Sequence, residues 1–229
     1  MSRVLAYCGF RHAPEIFLPV TGVKESPVHV IAAGGFRLLW SKVEWPFDPA
    51  EMQKNAVEFH HVVRHVFGQV AVIPFRLLSV FEDESALAVF VEEHYASFLA
   101  DLERLKDFVQ MECVIYPAPA TVQVDRSSGT AYMQQKATAM RSSEGFAQAL
   151  KDVVAHLSSD VRVRESKKGN RIFVLVPRGR ENEFRHTVGA LPLPEHLSRR
   201  ISGPWPAAEF LSDQVKGPPI SSQKIAGEK

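Results

Sequence analysis

Two histidines that stand four residues apart, His61 and His65, have the spacing that lets two imidazoles on one helical face hold a metal ion. A zincin motif would also place a glutamate directly after the first histidine, but Val62 stands there and Arg64 precedes the second. At about 100° per residue, the pair lies away from the apolar face of its helix. We therefore interpret both as surface histidines and expect no metal site.

Signatures of covalent or phosphate chemistry are missing from the sequence. No serine lies in a G-x-S-x-G turn. Cys8 and Cys113 lie in apolar, strand-like runs, which favours buried and inert thiols. Gly34 and Gly35 begin no phosphate-binding loop and are explained by a hairpin turn. We expect no catalytic residue, no cofactor and no enzymatic activity.

Positive charge is concentrated near residue 170. The basic residues there are Arg162, Arg164, Lys167, Lys168, Arg171, Arg178 and Arg180. RNA-recognition modules of βαββαβ order stack bases on aromatic residues of such strands, but only Phe173 and, more distantly, Tyr116 are available here. We interpret the charge as a solvated sheet edge, in which lysines and arginines discourage pairing between sheets. A nucleic-acid or regulatory binding module on residues 162–180 stays open as the alternative function.

The composition describes an ordinary globular chain of one or two domains. It has 229 residues, 45% of them hydrophobic, with 27 Lys+Arg against 26 Asp+Glu. This balance argues against a dedicated nucleic-acid binder. No apolar run approaches the roughly 18 residues that span a bilayer. Together with the low cysteine count, this favours a reducing, cytoplasmic setting.

The first half predicts mixed strands and helices. Residues 3–10 read as a strand and residues 28–43 as a hairpin. A helix over 47–68 has Asp48 as its cap and Pro49 at its first position. Its predicted apolar face is formed by Met52, Ala56, Phe59, Val63 and Val66.

An apolar run over residues 70–81 follows and is interrupted by Pro74. Because proline cannot donate to a ladder, this run is predicted to be an edge strand, a bulge or a strand end. Asp83 then begins a second helix, which extends to about Asp107.

The second half predicts the strand and helix order βαββαβ, which is that of the ferredoxin-like unit. Its predicted elements are a strand at 108–117, helices at 128–140 and 142–157, a hairpin at 161–176, a helix at 181–191 and a strand at 196–202. The last strand is expected to stop before Gly203-Pro204-Trp205-Pro206, because each proline removes an amide donor. Trp205 is expected to pack back onto the domain or to anchor a partner.

A last strand that leads into G-P-W-P, followed by the aromatic Phe210, is similar to the GvpL/GvpF family of gas vesicle proteins, whose members end near G-P-W-P-P-Y-S-F. Residues 60–87 resemble the family's helix, its strand with P-L-R-F-G-T-V-F and its acidic helix start. Residues 128–136 resemble its G-R-A-Y-L segment, and residues 170–184 its following hairpin and helix. The resemblance covers most of residues 3–211.

Two departures separate this chain from that pattern. Leu77-Leu78-Ser79 replaces Phe-Gly-Thr after Arg76, and Ala207-Ala208-Glu209 replaces Pro-Tyr-Ser after Pro206. The resemblance implies an α+β fold of two domains, with a modified ferredoxin-like second domain. We place a mixed α+β domain at 1–107, the ferredoxin-like domain at 108–211 and a mobile tail at 212–229.

The resemblance also implies a function without catalysis. Family members are assembly factors or minor components of gas vesicles that bind the hydrophobic shell protein GvpA and limit its aggregation. The expected partners are GvpA and other gas vesicle proteins, with no nucleic acid, membrane or small molecule, and the expected location is the gas vesicle and the cytoplasm. The predicted contact residues are Pro74, Phe75, Arg76, Phe81, Trp205 and Pro206.

Overall fold

The structure, a computed structural model, describes residues 1–118, 145–166 and 169–213. The chain forms two compact units, one from residues 1–106 together with 210–213 and one from residues 107–209. The described residues form two antiparallel sheets and four α-helices, which confirms the predicted α+β class. The predicted domain limits stay a prediction.

The first unit contains a five-stranded sheet and two helices. Its elements are β1 (Ser2–Arg11), β2 (Val28–Ala33), β3 (Phe36–Glu44), α1 (Met52–Phe67), β4 (Val72–Pro74), β5 (Val80–Phe81) and α2 (Glu84–Leu105). The strand order is β2-β3-β1-β4, and β5 also pairs with β1. The sheet therefore has β2 at one edge and the two short strands β4 and β5 at the other.

Strand β1 is buried without interruption from Val4 to Phe10, because both faces of the sheet are covered. On one face, Phe36 of β3 stacks on Phe98 of α2 with 4.8 Å between ring centroids. On the other, Tyr7 packs on Phe59 of α1 at 5.2 Å, next to Ser41. Phe36 and Ser41 are five residues apart in one strand, so their side chains point to opposite faces. The sheet therefore lies between the two helices.

Helix α1 follows a 3-10 turn that begins at Pro49, and the Asp48 carboxylate accepts a hydrogen bond from Ala50 N–H at 2.9 Å. The predicted cap is thus confirmed. The predicted apolar face is partly wrong, because Ala56 is exposed while the neighbouring Asn55 is fully buried. Phe59, Val63 and Val66 are buried as predicted, and the buried face also includes Asn55, Val62 and Phe67.

Helix α2 begins after Asp83, whose carboxylate accepts a hydrogen bond from Ala86 N–H at 2.8 Å. This contact confirms the predicted start of the second helix. Across the described residues, no helix is both long enough and apolar enough to cross a membrane.

The second unit has the ferredoxin-like topology. Its elements are β6 (Phe108–Pro117), α3 (145–154), β7 (Asp160–Ser166), β8 (Gly169–Pro177), α4 (Glu181–Ala190) and β9 (Leu197–Trp205). The sheet order is β7-β8-β6-β9, and all neighbours are antiparallel. The predicted helix at 128–140, the turn residues 167–168 and the tail from 214 onward lie outside the described residues.

Strand β9 does not stop at Ser202 as predicted but continues to Trp205. The ladder pairs Ser202 with Glu112, shifts register, and resumes with Trp205 opposite Gln110. Gly203, at φ +112°, and the cis Gly203–Pro204 peptide form the irregularity between these pairs. The expectation was wrong because a bulge accommodates a proline that a regular ladder would exclude.

Candidate partner-binding surfaces

The segment Pro74 to Phe81 forms an interrupted edge of the first sheet. Pro74 pairs with Cys8, and Val80 pairs with Leu5. Residues 75–79 therefore stand opposite only two residues of β1, Ala6 and Tyr7. The structure confirms that Pro74 marks an edge strand with an irregularity.

The irregular residues are held by their own hydrogen bonds. Ser79 N–H donates to the Arg76 carbonyl at 2.8 Å, and Arg76 N–H donates to the Ser79 hydroxyl at 3.1 Å. Phe75 N–H and the Ser79 carbonyl bond to β1, at Tyr7 and Ala6 respectively. The loop thus closes on itself and covers the edge of β1.

The predicted contact residues in this segment differ in accessibility. Phe75 and Phe81 are buried, at 7% and 8% exposure, and their rings lie 6.1 and 5.2 Å from that of Phe90 in α2. Pro74 is half-buried, whereas Arg76 is exposed. Leu78, which the sequence interpretation did not select, is also exposed. The accessible part of the segment is therefore Arg76 with Leu78.

The other two predicted contact residues, Trp205 and Pro206, belong to the second unit. Trp205 is half-buried, and its Nε1 donates to the Ser202 hydroxyl at 3.3 Å. Pro206 is buried. Part of the Trp205 ring is therefore fixed in the fold and part is accessible, which is compatible with both sequence-based expectations, packing onto the domain and contact with a partner.

After Trp205, residues 206–209 cross one face of the second sheet, and we call them the crossing segment. Glu209 N–H donates to the Gln110 side-chain oxygen at 2.9 Å on β6. The Glu209 carboxylate pairs with Arg164 at 2.5 Å, and its carbonyl accepts from Arg162, both on β7. The segment therefore extends from β9 at one sheet edge to β7 at the other.

Within residues 162–180, which we call the basic hairpin, several of the described arginines pair with carboxylates. Arg171 contacts the Glu112 carboxylate at 2.6 Å, and its guanidinium lies 5.1 Å from the centroid of Phe173. Phe173 is only 2% exposed, so the aromatic residue within the hairpin that could stack on a base is covered. Further along, Arg180 bonds both carboxylate oxygens of Glu183 at 2.8 Å and lowers the pKa of that carboxyl.

In the part of the chain that is described, no group of three metal-ligating side chains includes His61 or His65. His61 is exposed. His65 Nε2 lies 3.0 Å from the main-chain carbonyl of Phe17 and so contributes to the position of the loop before β2.

That loop presents apolar side chains to solvent. Phe17 is 79% exposed and Val20 is 81% exposed, while Gln69 bonds to the main chain of Phe17. No element and no role were predicted for the residues between the strand at 3–10 and the hairpin at 28–43. The detectable signal was the apolar run Ile16-Phe17-Leu18 in a segment with no strand or helix pattern.

Both thiols are buried, as predicted. Burial raises the pKa of Cys113 to about 12 and raises that of Cys8 further. Neither thiol is therefore ionised near neutral pH, which agrees with structural rather than reactive cysteines.

Two α+β units, the second with ferredoxin-like strand order, define the architecture in which these surfaces lie. The family model described as "Gas vesicle synthesis protein GvpL/GvpF" matches residues 3–212. The chain belongs to this gas vesicle protein family.

Solved structures show the same fold. The gas vesicle protein GvpF from Anabaena sp. PCC7120 matches with a TM-score of 0.73 and 16% identity, over 93% of this chain and 97% of that one. GvpF from Microcystis aeruginosa matches with a TM-score of 0.69 and 15% identity, over 92% and 99%. No curated protein matches the sequence.

Proposed function

We propose that this protein binds the gas vesicle shell protein GvpA and limits its aggregation while vesicles form. The protein would act as an assembly factor or minor structural component in the cytoplasm and on the gas vesicle. The family match over residues 3–212 carries the proposal. A shell subunit with exposed apolar surface needs a partner that covers this surface, and such a partner needs no catalytic group.

The surface of the first unit supports an apolar partner. Large apolar side chains are exposed on several of its elements, at Phe17, Val20, Val30 and Leu78. Isolated exposed apolar residues are common, but exposed apolar side chains that lie near one another mark interaction sites. Val20 lies beside the strand that carries Val30, because Val28 N–H donates to the Val20 carbonyl at 2.9 Å.

We retain the six sequence-predicted residues as proposed contributors, with roles that follow from their burial. Arg76 and half-buried Pro74 would touch the partner, while Phe75 and Phe81 would hold the loop in place from beneath. In the second unit, the accessible part of Trp205 would contact the partner, and the buried Pro206 would fix its direction.

Co-expression with the shell protein tests this function. The shell protein expressed alone should be insoluble, whereas with this chain it should stay soluble and co-purify. Persistent aggregation of the shell protein in the presence of well-folded chain would contradict the proposal.

Substitution of Trp205 separates binding from folding in the same assay. Trp205→Ala should reduce the amount of co-purified shell protein and lower the melting temperature, because the ring is partly fixed by Ser202. Lost binding at an unchanged melting temperature would make Trp205 a contact residue alone. Unchanged binding would remove it from the proposed surface.

A further inference from the structure

The two edges of the first sheet differ in their capacity to accept another strand. The edge formed by β4 and β5 is interrupted by residues 75–79, which bond to one another and to β1. The opposite edge, β2, pairs with β3 over all six of its residues without a register shift. Of these two edges, as formed by the described residues, only β2 is regular.

Alternation along β2 identifies which main-chain groups face outward. Val28 N–H donates to the Val20 carbonyl, on the side away from β3, at 2.9 Å. In an antiparallel ladder, alternate residues direct both main-chain groups to the same side, so Val30 and Ala32 also face outward. Among the described residues, no hydrogen bond to these outward groups of Val30 or Ala32 is present.

The edge also lacks the features that normally prevent strand addition. Proteins protect exposed edges with charged side chains, prolines, bulges or covering loops. Val28–Ala33 contains neither a charged residue nor a proline, and Val30 is 42% exposed. Such an edge accepts an extended, uncharged and mostly apolar segment more readily than a charged one.

The chain itself begins such a pairing but does not complete it. Thr21 bridges Pro27 in antiparallel fashion, and Val20 bonds to Val28. Before Val20 the chain turns elsewhere, since the main chain of Phe17 bonds to Gln69 and His65. The loop thus bonds only to the first residue of β2, and no described residue pairs with the outward side of residues 29–33.

We propose that the open edge of β2, at His29–Ala33, accepts an extended apolar segment of the shell protein by strand addition, with the exposed side chains of Val20 and Val30 against it. This inference rests on the proposed function. It differs in location from the contact at Arg76, which lies at the opposite edge of the sheet. Main-chain hydrogen bonds from Val30 and Ala32 would supply the affinity, and the apolar side chains would exclude charged segments.

Two substitutions test the edge by different means, in the full chain co-expressed with the shell protein. Ala32→Pro removes an outward N–H and should leave the β3 ladder intact, because edge strands tolerate proline whose N–H would face solvent. Val30→Lys introduces the charge that natural edges use for protection and leaves the main chain unchanged. Val89→Lys, at a 54% exposed valine of α2, is the matched control.

We expect both edge variants to retain about tenfold less shell protein than the wild type, and Val89→Lys to retain the wild-type amount. Circular dichroism and the melting temperature verify that each variant is folded. In the wild-type complex, hydrogen exchange at the Val30 and Ala32 amides should slow relative to the free protein.

The possible outcomes separate the two proposals. Wild-type binding that both folded edge variants preserve would overturn the edge inference and leave the proposed function standing. No wild-type binding would remove the proposed function, and the edge inference with it. A wild-type dimer in light scattering that Val30→Lys converts to monomer would assign the edge to a second copy of the chain and overturn the assignment to the shell protein.

Discussion

Gln69 bonds to both main-chain groups of Phe17. Phe17 N–H donates to Gln69 Oε1 at 2.9 Å, and Gln69 Nε2 donates to the Phe17 carbonyl at 2.8 Å. The main chain is therefore fixed while the ring is 79% exposed. Because the loop is already ordered in the free protein, little conformational entropy is lost when a partner covers the ring.

Gln69→Ala should release this loop. We expect faster hydrogen exchange at the Phe17 amide and a loss of about 1 kcal/mol in the free energy of unfolding, since three side-chain hydrogen bonds, two to Phe17 and one to the His65 carbonyl, disappear from an exposed site. Gln53→Ala, at an exposed glutamine of α1, is the control and should change neither quantity. Unaltered exchange at Phe17 in the Gln69 variant would mean that other contacts hold the loop.

Of Gly179, Gly189 and Gly203 in the second unit, Gly203 should be the least tolerant of substitution. A Cβ atom there would lie 2.8 Å from the Gln110 carbonyl oxygen and 2.9 Å from Met111 Sδ, and the residue has φ +112°. Left-handed strain and a main-chain clash together should make Gly203→Ala cost about 3 kcal/mol. Chemical denaturation measures this loss.

Substitutions of two other glycines separate the contribution of backbone strain from that of the clash with β6. Gly179 has φ +92° but open space around it, so Gly179→Ala should cost only about 1 kcal/mol of strain. Gly189 lies in α4 with open space and no positive φ, so Gly189→Ala should stabilise by up to about 1 kcal/mol. Equal effects of the Gly203 and Gly179 substitutions would show that the close approach to β6 contributes nothing.

The buried thiols predict a fall in stability at alkaline pH. Below about pH 8.5, both cysteines are protonated in the folded and unfolded states and have no effect. Above it, unfolded thiols lose their protons while folded ones retain them, because burial raises the pKa of Cys113 to about 12 and that of Cys8 further. The free energy of unfolding should therefore fall as pH rises, by up to about 1.4 kcal/mol per pH unit and thiol.

Urea denaturation between pH 7 and 10 of the wild type and of the Cys8→Ala and Cys113→Ala variants measures this effect. Each variant should lose part of the alkaline slope. A thiol reagent at pH 8 should label the native protein slowly and the urea-unfolded protein fast. Rapid labelling of the native protein would contradict the assignment of both thiols as structural.

The crossing segment predicts that the basic hairpin does not bind nucleic acid. The Glu209 carboxylate pairs with Arg164, and the Glu209 main-chain carbonyl accepts a hydrogen bond from Arg162. The Glu112 carboxylate pairs with Arg171. We expect no retention of the wild type on single-stranded RNA at about 50 mM salt, where phosphate contacts are strong. Salt-sensitive retention would instead favour the nucleic-acid alternative.

Glu209→Gln should strengthen any weak RNA contact by freeing the Arg164 side chain, while the main-chain carbonyl at position 209 keeps its hydrogen bond from Arg162. Glu165→Gln, on the same strand as Arg164, removes an equal charge and serves as the control. The Glu209 variant should lose less than about 1 kcal/mol of stability, because the Arg164 side chain is 57% exposed and solvent screens the pair. Identical RNA retention in the two variants would mean that Glu209 does not shield the hairpin.

Local signals predicted much of the fold. Asp48 and Asp83 have the capping pattern that fixes where α1 and α2 begin, and both caps are present. The βαββαβ order followed from apolar periods and turn residues, and the ferredoxin-like sheet order confirms it. Pro74 predicted the sheet edge because a proline lacks the main-chain N–H that a central strand needs, and this can be read from the residue type alone.

Features set by distant contacts were not predictable in this way. The buried Asn55 has a polar side chain, so periodicity placed Ala56 on the apolar face instead. The continuation of β9 depends on a bulge opposite Met111, which the sequence near Gly203 does not encode alone. The open edge of β2 becomes visible only when the strand order and the bonds of Phe17 are known.

The interruption at residues 75–79 makes the two edges of the first sheet unequal, because only the β2 edge can add a regular strand. A sheet with two regular edges can be inserted between strands and so extend a β-polymer in both directions. A sheet with one regular edge can only terminate a row of strands, because nothing can pair beyond its blocked side. Under strand addition at β2, each molecule of this protein would end one row of shell-protein strands and could not seed a second.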